Sequence, residues 1–72
     1  MTQDEFKQLK VGDRVTHPAF IGFLTITYIE WSYDYHTSPP TQWTDAITTD
    51  TGNRLKIGDE REVRLLQKVH DP

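Results

Sequence analysis

The chain has 72 residues, a net charge of −3 and no cysteine. That length holds one small domain, which buries only about 60% of its unfolded surface, and without cysteine it forms neither disulfides nor thiolate metal sites. The longest near-apolar stretch, residues 19–24, is far too short to cross a bilayer, and the acidic start Met1-Thr2-Gln3-Asp4-Glu5 lacks the basic and apolar regions of a signal peptide, so a cytoplasmic protein is expected.

Thr2-Gln3-Asp4-Glu5 matches a capping box, with Thr2 as N-cap and Glu5 at N3. Phe6 and Leu9 share a helical face, so the pattern predicts a short helix over residues 3–9. Gly12-Asp13 marks a turn, and residues 14–17 read as a first strand with Val15 inward. Pro18 removes a backbone donor and ends that strand.

Residues 23–35 form a long strand whose alternation changes phase. Leu24, Ile26 and Tyr28 share one face, and Ile29, Trp31, Tyr33 and Tyr35 the other, which predicts a bulge or bend near Tyr28-Ile29. Residues 36–42, with Pro39-Pro40, have loop composition. Strands follow at 43–49 and 54–57, joined by the turn Asp50-Thr51-Gly52-Asn53. Residues 58–60 read as a turn or a single 3₁₀ turn, Val63-Arg64-Leu65-Leu66 as the last strand, and residues 68–72 as a disordered tail.

This order predicts a mostly β protein: a small, SH3-like, five-stranded, partly open barrel with a short N-terminal helix. One domain spans residues 1–72, with the helix in 1–10, the barrel in 11–67 and the tail after it. Val15, Leu24, Ile26, Ala46 or Ile47, Leu55, Ile57, Val63 and Leu65 are the expected core.

Val11-Gly12-Asp13-Arg14-Val15-Thr16-His17-Pro18-Ala19-Phe20 resembles the opening of bacterial Tudor-like and CarD-like RNA-polymerase-interacting domains, and is similar to the start of KOW-type SH3-like barrels. Ile21-Gly22 departs from the tight Phe-Gly bend of those families, and residues 31–43 form a longer, more aromatic insert. The resemblance implies an SH3-like fold and a partner in a nucleic-acid-processing complex. By size alone, apart from any motif, free-standing domains this small are frequent in phages and mobile elements, as regulators or inhibitors of host transcription or defence machinery.

No Lys or Arg lies between Arg14 and Arg54, and that interval holds every aromatic except Phe6. Eight large aromatics cannot all enter the core of so small a domain. Tyr28, Trp31, Tyr33, Tyr35 and Trp43, with Asp34 and Asp45 at their edge, therefore form the candidate protein-binding surface. An exposed Trp or Tyr at the centre of an interface contributes ~2 kcal/mol or more, and acids beside it steer a basic partner. The ring count also permits an aromatic cage for methyl-lysine, though no spacing demands one.

The alternative surface is a basic ridge of Arg14, Arg54, Lys56 and Arg64, with Arg61, able to touch nucleic acid. Asp13, Asp59, Glu60 and Glu62 are interleaved with it and favour a solvated face instead. A third alternative is self-association, with a homodimer built on the aromatic strand. Among His17, His36 and His70, only Asp34 and His36 have metal-ligand spacing, and no third ligand is near them, so neither metal nor cofactor is expected. With no nucleophile elbow, paired carboxylates or glycine-rich phosphate loop, the chain does not read as an enzyme.

Overall fold

The computed structural model describes residues 1–69. Its elements are α1 (Gln3–Phe6), β1 (Arg14–Thr16), β2 (Leu24–Asp34), β3 (Thr41–Thr49), β4 (Arg54–Lys56), α2 (Glu60–Leu65) and β5 (Gln67–Lys68). The five strands make one antiparallel sheet in the order β4-β3-β2-β1-β5. The sheet is open, with β4 and β5 at its ends, so the mostly β class holds while no closed barrel forms.

α1 starts at the expected capping box. The Glu5 N–H donates to Thr2 Oγ1 at 3.2 Å and the Thr2 N–H to Glu5 Oε1 at 3.0 Å. The helix is shorter than predicted, but turns continue to Leu9, whose N–H donates to the Phe6 carbonyl. Phe6 and Leu9 enter the core, where the sequence pattern had not placed them. The β3–β4 hairpin is as expected, with Gly52 at φ +84°, a conformation that side-chain-bearing residues resist.

The bend in β2 is also present. Ile26 faces Thr49 and Tyr28 faces Thr48, so Thr27 is the extra residue of a bulge. The bulge returns Ile29 to the face of Leu24 and Ile26, and all three are buried. A second shift follows on β3: Glu30 faces Ala46 and Trp31 faces Thr44, leaving Asp45 unmatched.

The predicted last strand is wrong. Residues 60–65 are helical, and β5 lies beyond them at Gln67–Lys68. Glu, Arg and Leu favour helix, Glu60 pairs with Arg64 one turn on (3.8 Å), and Val63 and Leu66 turn inward three residues apart. Leu65, expected in the core, is consequently 42% exposed, and Leu66 takes its place. Lys68, expected in a tail, sits in β5, and the Val69 N–H donates to the Arg14 carbonyl. The rest of the expected tail lies outside the described residues.

The core comprises Phe6, Leu9, Val15, Leu24, Ile26, Ile29, Ile47, Val63 and Leu66, with Leu55 and Ile57 partly buried against it. Ala46 and Ile47 are both buried. Beyond Ile29 the β2–β3 hairpin runs past this core, and the molecule measures 41 × 25 × 23 Å.

Candidate interaction surface

β2 carries the aromatic residues outward from the end of the core. Ile29, Trp31 and Tyr33 share one face by strand alternation, with only Ile29 buried. Tyr28, on the other face, is 60% exposed, Trp31 56%, Tyr33 47% and Tyr35 76%. The Tyr33 and Tyr35 rings stack, with centroids 5.9 Å apart and planes at 21°. Trp43 is half-buried, with Lys7 Nζ 5.8 Å from its ring centroid.

The two acids expected beside these rings are placed differently. Asp34 Oδ1 accepts from the His36 N–H at 2.9 Å and shapes the turn after β2. Asp45 lines a cleft with Arg54, Lys56 and Ile57, on the β4 side of the hairpin. Asp34 thus stays beside the stacked Tyr33 and Tyr35, while Asp45 is turned toward β4.

The basic residues do not form a ridge. Arg14 is on β1 with its guanidinium 5.6 Å from the Phe23 ring centroid, while Arg54 and Lys56 are on β4, with β2 and β3 between. Arg61 and Arg64 are on α2, so Arg64 does not face Arg14 across paired strands. Arg54 donates to both oxygens of Glu30, at 2.5 and 2.8 Å. These bonds hold the Glu30 carboxyl below its ordinary value and raise Arg54 above its own.

Three lysines that sequence reasoning passed over do converge. Lys7, Lys10 and Lys68 line an open cleft of about 700 Å³ together with Trp31, Trp43 and Asp13. Lys68 Nζ is 3.7 Å from Asp13 Oδ2. Pairing of β1 with β5 brings Lys68 there from the far end of the chain, so no local sequence signal announces it.

His17 is held by its surroundings: Nδ1 accepts from the Ala19 N–H at 3.0 Å and Nε2 lies 2.6 Å from Glu62 Oε2. Among the described residues, no group of three His, Asp or Glu is placed to hold a metal ion, and no helix is long and apolar enough to cross a membrane. His70 lies outside the described residues.

The backbone of the hairpin matters as much as its side chains. β1 pairs with β2 only at Leu24 and Thr25, and the turn before β1 bonds the N–H and C=O of Ile26. From Thr27 to Asp34 no described strand lies on that side of β2. The outer side of β3 is covered from Thr44 onward: β4 pairs with residues 46–48, the Asp45 carbonyl accepts from Ile57, and the Thr44 N–H donates to the Lys7 carbonyl at 3.0 Å. Because Thr44 turns its N–H away from β2, alternation along the antiparallel ladder turns the N–H and C=O of Ile29, Trp31 and Tyr33 to the uncovered side. An open cleft of about 500 Å³ runs beside that edge, lined by Val11, Tyr28, Ile29, Glu30, Trp31 and Tyr33.

No family model, curated protein or solved structure matches the chain.

Proposed function

We propose that this chain is a small SH3-like protein-binding module that engages its partner through the aromatic strip of β2. The observation that carries the reading is the exposure of Tyr28, Trp31, Tyr33 and Tyr35 in a domain whose core is complete without them. Exposed aromatic anchors around an extended strand are the residues that most often dominate protein interfaces. The SH3-like assignment draws on the five-strand antiparallel order, the bulged second strand and the Gly-Asp turn into β1.

Immobilised protein tests this reading, offered a lysate of the source cells and, separately, the purified chain itself. Trp31→Ala should lose whatever the natural chain retains, whereas Arg64→Ala, on exposed α2, should retain it. Both variants are first checked for native circular dichroism. Equal capture by Trp31→Ala and the natural chain rejects the aromatic strip as the binding surface.

A second reading rests on the lysine cleft. A cleft lined by Trp31, Trp43, Lys7, Lys10 and Lys68 holds the residue types of a single-stranded nucleic-acid groove, where bases stack on rings and lysines meet phosphates. Both tryptophans of the chain line this cleft and only Trp31 also borders the β2 edge, so the fluorescence of Trp43 in a Trp31→Phe variant reports on the lysine side. Quenching by a thymidine oligonucleotide that weakens steeply with salt supports this second reading, and flat fluorescence rejects it.

A further inference from the structure

The open edge of β2 has a definite chemistry. It presents backbone donors and acceptors at Ile29, Trp31 and Tyr33, so its natural complement is another extended strand. Soluble proteins usually guard such an edge with lysine, proline or an inward charge. Between Thr27 and Tyr35 there is no Lys, Arg or Pro. The only acids are Glu30, paired with Arg54, and Asp34, a carboxylate at the far end of the edge whose Oδ1 accepts from the His36 amide. The edge is left sticky, with one charge at its end, and is compatible with a copy of itself in a register that keeps the two Asp34 carboxylates apart.

We propose that two copies of this chain pair antiparallel through residues 28–34 of β2, about a twofold axis at Trp31. This inference rests on the reading of the aromatic strip as a protein-binding surface and names the partner as a second copy.

The register follows from geometry. Paired residues in an antiparallel ladder share a face, so a twofold axis must pass through a residue and not between two. An axis at Glu30 would oppose Glu30 to itself, and one at Ser32 would oppose Glu30 to Asp34, which like charges disfavour. The axis at Trp31 uses the whole open length from Tyr28 to Asp34. It sets Trp31 against its own mate, Ile29 against Tyr33, Glu30 against Ser32 and Tyr28 against Asp34, with no like charges opposed. Trp31, Ile29 and Tyr33 are the residues whose amides face outward, so the same axis also closes the hydrogen bonds.

The area is that of a weak dimer. At ~200 Å² per aromatic side chain, the exposed fractions of Tyr28, Trp31 and Tyr33 amount to at most roughly 300 Å² per copy. A standard interface takes about 800 Å² from each partner, and the paired backbones and Val11 supply further surface.

Sedimentation equilibrium from low micromolar to millimolar protein tests the proposal. The natural chain should shift from its 8.4 kDa monomer to twice that mass. Trp31→Lys and Trp31→Glu, each confirmed folded by circular dichroism, should each dimerise at least tenfold more weakly, because each opposes like charges at the axis. Mixed together they should dimerise more tightly than either alone, a rescue that only self-pairing at Trp31 produces. A natural chain that stays monomeric throughout overturns the proposal, as does a dimer indifferent to both variants or a mixture no tighter than its parts. A monomeric chain that still captures a lysate protein through Trp31 overturns the dimer alone and leaves the binding surface standing. Capture of neither the lysate protein nor the chain itself removes both.

Discussion

The β2–β3 hairpin has two long sides, and the fold treats them differently. From Thr44 onward the outer side of β3 is covered by three separate pieces of chain: β4, the turn at Ile57 and the segment after α1. The outer side of β2 is covered only at its start, because β1 has three residues and its chain soon meets Pro18. Covering an edge consumes chain, and here the chain is spent on one side. The covered side is where stability resides, and the uncovered side is where recognition is available at little cost to the fold.

The contrast breaks most directly at Phe6, the fully buried residue that anchors the segment lying against β3. Phe6→Ala should cost about 3–5 kcal/mol, a large part of the stability of so small a domain, read by urea unfolding. Thr44→Val is a finer cut on the same side. Thr44 Oγ1 donates to the Leu9 carbonyl at 2.7 Å in a buried setting, and its loss strands that carbonyl. The expected cost is about 1–3 kcal/mol, with a faster-exchanging Thr44-site amide as the local signature.

On the uncovered side, Trp31→Lys should change stability by no more than about 0.5 kcal/mol, since the residue is 56% exposed and outside the core cluster. Equal losses at Trp31 and Phe6 would erase the distinction between the two sides. The smallest effect belongs to Glu30, which reaches from β2 across to Arg54 on β4. Its carboxyl is held below the ordinary value of 4.5, so its contribution is present above that pH and disappears as pH falls through the lowered value. The pair is solvent-exposed and its contribution is correspondingly screened. The Tm gap between the natural chain and Glu30→Gln should be small at neutral pH and close on acidification, and a gap that widens instead would contradict this assignment.

Much of the covered side was legible in the sequence. The capping box at Thr2, the hairpin at Gly52 and the phase change in residues 23–35 are local signals, each written in a few adjacent residues. Helix α2 was not legible, because a short apolar run such as Val63-Arg64-Leu65-Leu66 fits a strand or a helix face equally well and its packing decides. The exposure of the aromatic strip followed from counting rings against core volume. The company those rings keep did not: Asp45 turned to β4 when the second bulge shifted the register, and Lys68 arrived through a strand pairing that joins distant parts of the chain. The open edge was invisible for the same reason, since it depends on where β1 stops relative to β2.

The brevity of the sheet's terminal strands sets a limit on growth. β4 has three residues including Arg54 and Lys56, and β5 has two including Lys68, so neither end of the sheet offers a long, uncharged template. A building block with two sticky margins polymerises without end, whereas one with a single margin used about a twofold axis is exhausted after one encounter. On the proposed pairing, the overhang of β2 beyond β1 sets the valence at one, so that assembly stops at a pair.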